Sequence, residues 1–288
     1  QDYVERAVRL RLSELPDGAW ETTDFVDQDP ATEEGLIPIK LRITISGDQV
    51  EFDLSGSHAT IGSIYNSAFG GTFAAIVSGM KTFFPDVPLN AGVYRVIKVT
   101  VPDDTIVSAR WPVAVTGFVM TFEKIMNATF ELFSQIMPER AMACAFNIEY
   151  LQTGGYDARS KELPYFMLYD WLSGGWGGRN GRDGLSVTAS CFGVGLMSQP
   201  VEGQERMCPV RTDRLEIVTD SAGPGEYRGG VGLEKAGTIL DVENCVFSYF
   251  CDRERSVVWG INGGLPARPH GLWMKTGDEP EAFLGAVF

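Results

Sequence analysis

The residues best suited to chemistry lie in segment 174–184, which reads GGWGGRNGRDG. Backbone N–H groups of glycine-rich turns, together with the guanidinium groups of Arg179 and Arg182, can hold a carboxylate or a phosphate. Asp183 can orient an arginine or act as a base. The segment lacks the GK[ST] ending of a P-loop, so it does not indicate that kind of nucleotide site. From the residues alone two interpretations stay open, an anion site and a tight turn with a structural Arg–Asp pair.

Three other places carry weaker signals. Segment 220–232 reads DSAGPGEYRGGVG and contains Arg228, either as a site residue or as part of a structural turn with a buried ion pair. Glu202 and Glu205 lie three residues apart, and two carboxylates that share a site can acquire different pKa values; exposure is the simpler interpretation. His58 ends the polar corner Ser-Gly-Ser-His and is either a binding residue or a hydrogen-bonded loop residue.

Apolar periodicity predicts the elements that must position these residues. Apolar side chains at helical spacing predict helices over 1–15, 68–84 and 120–137. Alternation predicts a hairpin over 37–54, followed by a strand at 94–101. The acidic segment 22–35 is predicted to be an irregular loop.

Beyond residue 140 the sequence changes to short β-like runs separated by glycine. The predicted strands are 143–151, 164–172, 185–191, 214–219, 233–240 and 245–250. We therefore predict an α+β fold, with an α+β region over 1–140 that contains two long amphipathic helices. A mostly β region, rich in glycine loops, is predicted over 141–288.

Composition excludes several classes of protein. The 288 residues include 24 Lys and Arg against 38 Asp and Glu, a net charge of −14, which argues against binding to nucleic acid. No apolar run is long enough to span a membrane, and we expect a cytoplasmic protein. The five cysteines form no CxxC pair, and only two histidines are present. We therefore expect no metal site made by this chain alone.

Several motifs together resemble the hydantoinase B/oxoprolinase family, in family order along nearly the whole sequence. They are DLSG at 53–56, PLNAGVYRVIKVTVP at 88–102, WPVAV at 111–115, GGWGGRNGRDG at 174–184, PVEGQE at 200–205, DSAGPGEYRGGVGL at 220–233 and WGINGG at 259–264. The resemblance covers about the second half of a family subunit. We expect the chain to be one piece of a split subunit or a fragment, because the family's upstream half and glycine-rich C-terminus have no counterpart in it.

The resemblance implies ATP-dependent chemistry shared between two types of subunit. An A-type partner would bind ATP and Mg²⁺ and phosphorylate the substrate oxygen, and the B-type subunit would act on the activated substrate. Hydantoin and 5-oxoproline enzymes of the family hydrolyse a cyclic amide. Related ketone carboxylases instead join the activated ketone to a carboxyl donor, without biotin. The upstream half, expected on another chain, would carry His and Asp residues for a divalent metal. On this resemblance we predict Asp183, Arg179 and Arg182 as catalytic residues and Arg228, His58 and Phe118 as substrate-binding residues.

The sequence departs from the family pattern at two places, where polar positions have become apolar. One is GFVMT at 117–121, which includes Phe118, and the other is ASCFGVGLM at 189–197. An apolar lining favours an uncharged substrate such as a plain lactam or an aromatic ketone. Our main prediction is a component of an ATP-dependent hydrolase of hydantoin, 5-oxoproline or lactam rings. The alternatives are an ATP-dependent ketone carboxylase and a non-catalytic scaffold subunit.

Overall fold

Alternating apolar residues build the sheet of the first part of the chain. The computed structural model describes residues 1–29, 32, 35–193, 195–277 and 279–285. In chain order, the helices and strands up to residue 144 are α1 (Asp2–Ser13), β1 (Gly18–Gln28), β2 (Gly35–Ser46), β3 (Gln49–Asp53), α2 (Phe69–Phe83), α3 (Ala91–Tyr94), β4 (Ile97–Thr100) and α4 (Val119–Ile136). β2 buries every second side chain from Ile37 to Ile45 and pairs antiparallel with β3. The predicted hairpin is therefore confirmed.

The prediction of an irregular loop over 22–35 is wrong for most of that segment. β1 pairs antiparallel with β2 along nearly its whole length. Its acidic residues concealed the strand, yet Asp24 and Asp27 are buried. Strand formation depends strongly on the neighbouring strand, which is not visible locally. Residues 30, 31, 33 and 34 of the predicted loop lie outside the described residues.

The predicted helices are confirmed, and α4 covers the sheet. α4 packs on β1 and β2, and α2 packs on α4. The rings of Phe83 and Phe133 stack with centroids 5.3 Å apart, and both side chains are fully buried. The predicted strand at 94–101 is shorter than expected, because Asn90 accepts a hydrogen bond from the N–H of Gly92 and begins α3 before β4.

The second part of the chain is mostly β, as predicted. Its elements are β5 (Glu149–Asp157), β6 (Tyr165–Leu172), α5 (Val201–Met207), β7 (Val210–Ile217), β8 (Leu233–Ile239), β9 (Val242–Phe250), β10 (Leu272–Met274) and β11 (Ala282–Gly285). The strands form an antiparallel sheet in the order β6-β5-β9 and the pairs β7-β8 and β10-β11. The strand predicted at 185–191 is wrong: Val187 has a positive φ of 49°, which interrupts an extended backbone.

Contacts divide the chain into two compact units. The first unit contains Gln1–Cys144, Arg179–Arg182 and Ile261–Gly263, and the second contains the rest of the described chain. The helices and the mixed sheets confirm the α+β fold class, whereas the boundary near residue 140 stays a prediction. Among the described helices, none is both long and apolar enough to cross a membrane.

Candidate functional site

The glycines of the two predicted loops allow backbone to lie directly against backbone in the second unit. A Cβ added at Gly175 would lie 2.0 Å from the carbonyl oxygen of Gly230, and one added at Gly230 would lie 1.9 Å from that of Leu185. Both distances are far inside van der Waals contact. Close packing of the two loops therefore explains why glycine is needed at these positions.

The backbone N–H groups between the loops are largely used within the fold. Trp176 donates to the carbonyl of Leu185 at 2.9 Å, and Gly230 donates to that of Trp176 at 2.8 Å. The N–H of Gly184 donates to the carbonyl of Arg228 at 2.8 Å. These three N–H groups are satisfied by backbone, so they are not available to bind an anion.

Asp183 and Arg228 are brought together, but through the backbone of the arginine. The Oδ1 atom of Asp183 accepts a hydrogen bond from the N–H of Arg228 at 2.8 Å. Both residues are exposed in this chain. The observed contact anchors one glycine loop to the other, and the predicted catalytic role of Asp183 stays a prediction.

Arg179 and Arg182 face each other across a tight turn of the first unit. Each donates its backbone N–H to the carbonyl of the other, at 2.9 and 3.0 Å, and Asn180 ties the turn to Ala141 by a bond of 2.9 Å. Burial lowers the pKa of the Arg179 guanidinium, and the positive charge of Arg182 lowers it further. A neighbouring anion would relieve this repulsion between like charges, and an anion site at this turn stays a prediction.

The other predicted residues of the first unit have contacts of their own. The ring Nδ1 of His58 lies 2.9 Å from the carbonyl oxygen of Ala59, which fits the loop interpretation of this residue. Phe118 is half-buried at the start of α4, and its ring packs edge-on against Phe122 with centroids 6.4 Å apart. Binding of substrate by His58 and Phe118 stays a prediction.

The two glutamates of α5 do not act as a pair. Glu205 accepts a hydrogen bond from the N–H of Thr212 at 2.8 Å through Oε1. Glu202 is exposed. The carboxylate of Glu205 thus holds the start of β7 against α5, which is a structural role.

Part of segment 189–197, where the sequence departs from the family pattern, lines a pocket of the second unit. Its residue 194 lies outside the described residues. The pocket is lined by Ile148, Trp171, Leu172, Ser173, Ala189, Ser190, Leu196, Met197 and Ser198. Met197 is 93% exposed, so the rim of the pocket offers an apolar surface.

Sequence analysis missed a group formed by Glu149, Cys251 and His270 in the second unit. Tyr150 pairs with Phe250 in the antiparallel ladder of β5 and β9, which places Glu149 beside Cys251. The N–H of His270 donates to the carbonyl of Arg253 at 3.2 Å, which brings the imidazole to the same place. No local spacing could have revealed the group, because its members come from separate stretches of sequence.

Polar contacts join the three side chains. The Nδ1 atom of His270 lies 2.7 Å from the Sγ atom of Cys251 and 3.4 Å from the Oε2 atom of Glu149. The hydroxyl of Tyr249 donates to Oε1 of the same glutamate. Burial raises the pKa of Glu149 to about 8, because a low-dielectric surrounding disfavours the carboxylate.

The helices, sheets and glycine loops described above lie within the region of one known protein family. The profile of the Hydantoinase B/oxoprolinase family matches residues 1–285. The chain therefore belongs to this family, and the resemblance drawn from its motifs is confirmed.

Named relatives cover almost the whole chain. This chain is 29% identical over 249 residues to the caprolactamase subunit beta of Pseudomonas jessenii, and the match covers 84% of this chain and 42% of that protein. It is 25% identical to the 5-oxoprolinase of Saccharomyces cerevisiae, in a match that covers 88% of this chain and 20% of that protein. It is also 25% identical to the acetone carboxylase alpha subunit of Xanthobacter autotrophicus, in a match that covers 90% of this chain and 36% of that protein. The chain spans less than half the length of these curated relatives.

A solved structure shares the fold. The crystal structure of the ATP-dependent caprolactamase from Pseudomonas jessenii superposes with a TM-score of 0.84 at 23% sequence identity. The superposition covers 100% of this chain and 50% of that chain.

Proposed function

We propose that this chain forms part of the B-type subunit of an ATP-dependent cyclic-amide hydrolase. The observation that carries the proposal is the family match over 1–285, with relatives that include a caprolactamase subunit and a 5-oxoprolinase. Partner subunits complete the enzyme in this proposal. An A-type subunit binds ATP and Mg²⁺, and a chain with the upstream half supplies any divalent metal of the His/Asp type.

The chemistry requires a way to hold negative charge on oxygen. Phosphorylation of an amide oxygen turns a poor electrophile into a reactive one, and fixed positive charges stabilise the oxygen anions that develop. Arg179 and Arg182 supply two such charges on one turn. Asp183 is proposed as the base or orienting group, with Arg228, His58 and Phe118 as substrate contacts.

The pocket beside residues 189–198 supports an apolar substrate. Trp171, Leu172 and Leu196 contribute hydrocarbon to its lining, beside the hydroxyls of three serines. Such a lining favours an uncharged ring, so we place plain lactams ahead of polar hydantoins among the substrates.

The second candidate is a B-type subunit of an ATP-dependent ketone carboxylase. The similarity to the acetone carboxylase alpha subunit favours it, and an apolar pocket also suits a ketone. The lower identity of that relative, 25% against 29% for the caprolactamase subunit, places it second.

The test uses the assembled complex, purified with the subunits that bind this chain. We expect ATP turnover that depends on a lactam and does not need bicarbonate. Turnover that requires both a ketone and bicarbonate would instead establish the carboxylase.

Arginine variants of the complex test the anion site and the scaffold alternative. We expect Arg179→Ala to lower kcat/KM by roughly 100-fold or more, the cost of removing one charge-stabilising donor. Arg110→Ala is the matched control, because Arg110 is exposed and pairs with Asp103. Full activity of the Arg179→Ala complex would refute the site, and full activity after both Arg179→Ala and Asp183→Ala would support a scaffold.

A further inference from the structure

We propose that Glu149, Cys251 and His270 form a zinc-binding site within the second unit of this chain. One ligand atom from each residue lies within 4.8 Å of the other two. Thiolate, imidazole and carboxylate are the three ligand types that Zn²⁺ takes from proteins. The site is separate from the His/Asp metal assigned above to another chain, and it does not rest on the proposed function.

One of the two ligand separations at His270 fits a tetrahedral ion directly, and the other must lengthen. Bond lengths of about 2.3 Å to sulfur and about 2.0–2.2 Å to nitrogen and oxygen place N and O roughly 3.4 Å apart and S and N roughly 3.6 Å apart. The Oε2 atom of Glu149 lies 3.4 Å from Nδ1 of His270. The Sγ atom of Cys251 lies 2.7 Å from the same nitrogen, so it must move by about 0.9 Å on binding.

The geometry favours a metal over a nucleophilic triad. In a triad, the acid contacts one ring nitrogen of the histidine and the nucleophile contacts the other. Here Cys251 and Glu149 both approach Nδ1 of His270. This arrangement cannot relay a proton from one ring nitrogen to the other, but it places three donor atoms within 4.8 Å of one another.

The surroundings provide the support that metal ligands require. The hydroxyl of Tyr249 holds Oε1 of Glu149, which leaves Oε2 directed at the histidine. Tyr249 and Cys251 are each only 1% exposed, and the ring of Phe146 lies 6.2 Å from that of His270. Such partners orient ligands and raise metal affinity.

Three protein ligands leave one position of a tetrahedral zinc for water or for an oxygen of a small molecule. The side chains of Glu149 and His270 are 17% and 13% exposed, so both retain a little contact with solvent. We expect this position to take water or another small oxygen donor.

Cobalt substitution tests the site in the protein as isolated with its partner subunits. Co²⁺ bound to a thiolate gives a sulfur-to-metal charge-transfer band in the near ultraviolet, which a His/Asp site cannot produce. We expect this band on addition of equimolar Co²⁺, its loss on competition with Zn²⁺, and its absence in Cys251→Ser. Tyr249→Phe is expected to lower the affinity roughly 10-fold, as for other groups that orient a ligand.

Cys245→Ser is the matched control, because Cys245 is an exposed thiol of β9; this variant must keep the band. If Cys251→Ser does not fold, Glu149→Gln and His270→Gln provide the same test through the loss of Co²⁺ affinity. Absence of the band from the parent protein, or an unchanged band in Cys251→Ser, would overturn the proposal and leave a hydrogen-bonded cluster.

Discussion

Asp183 holds the backbone of Arg228 through a hydrogen bond of 2.8 Å from the arginine N–H to Oδ1. This bond joins the two glycine loops within the second unit. Asp183→Ala removes the acceptor, and we expect the free energy of unfolding to fall by roughly 1 kcal/mol, a typical value for one hydrogen bond. Asp183→Asn keeps an acceptor oxygen and should recover most of that loss. Urea denaturation of the three proteins measures both effects.

Activity separates the anchoring role of Asp183 from a catalytic one. An amide retains the hydrogen bond but cannot act as a base. If Asp183 only anchors Arg228, the Asp183→Asn complex keeps its substrate-dependent ATP turnover. An Asp183→Asn complex as stable as the parent but inactive would assign Asp183 to the chemistry.

Gly175→Ala tests the close approach of the loops. The added Cβ would lie 2.0 Å from the carbonyl oxygen of Gly230, and backbone on both sides must move to relieve the clash. We expect a loss of roughly 3 kcal/mol in the free energy of unfolding, at the upper end of common single substitutions. Thermal denaturation followed by circular dichroism measures it.

Gly70→Ala is the control for that variant. An added Cβ at Gly70, in α2, meets no atom within 4 Å, and alanine is a better helix former by roughly 0.5–1 kcal/mol. Gly70→Ala should therefore keep or raise the melting temperature. Equal stability of Gly175→Ala and Gly70→Ala would contradict the packing of the loops.

Sequence predicts those parts of the fold whose signal is local. The apolar periodicity of α2, α4 and β2 sets both the type of element and its buried face, because each element presents one side to a core. β1 is not predicted because acidic residues interrupt its apolar pattern. Its strand conformation depends on pairing with β2. The interruption at Val187 was missed because positive φ of a branched residue has no local signal.

The candidate site was predictable only in part, since its contacts are long-range. The motifs identified the family and located the charged residues of 174–184. They could not show that Arg179 and Arg182 belong to one compact unit while Asp183 belongs to the other. Glu149 and Cys251 meet only through the register of β5 and β9, which no spacing within either strand specifies.

A buried ion pair connects three elements of the second unit. The ammonium of Lys235, in β8, contacts Asp170 of β6 and donates to Gln204 of α5 at 2.9 Å. The side chains of Lys235 and Asp170 are only 16% and 8% exposed. Lys235→Met leaves the carboxylate buried without its cation, and we expect it to lower the free energy of unfolding by roughly 3 kcal/mol. Chemical denaturation measures the change.

Two further variants isolate the charge effect at Lys235. Lys161→Met replaces an exposed lysine in the same unit and should leave stability nearly unchanged. The double variant Asp170→Leu with Lys235→Met removes both charges and should recover part of the loss. A double variant less stable than Lys235→Met alone would contradict this account.

Acid should weaken the second unit at the end of β5, where Asp157 pairs with Arg159. The guanidinium donates to both carboxylate oxygens, at 2.9 and 2.8 Å, and these hydrogen bonds lower the pKa of Asp157. A carboxylate whose pKa is lowered by folding adds stability above its unfolded pKa of about 3.9. That contribution is lost as the pH falls through the lower, folded value.

The predicted pH dependence is measured by urea unfolding from neutral pH down to acid. We expect Asp157→Asn to be less stable than the parent at neutral pH, with the difference vanishing in acid. Arg159→Ala should remove most of this dependence but not all, because the backbone N–H of residue 159 also donates to Asp157 at 3.0 Å. Added salt should reduce the difference between Asp157→Asn and the parent, because the pair is partly exposed and therefore screened. A constant difference between parent and Asp157→Asn at every pH would show that this carboxylate titrates alike in the folded and unfolded chains.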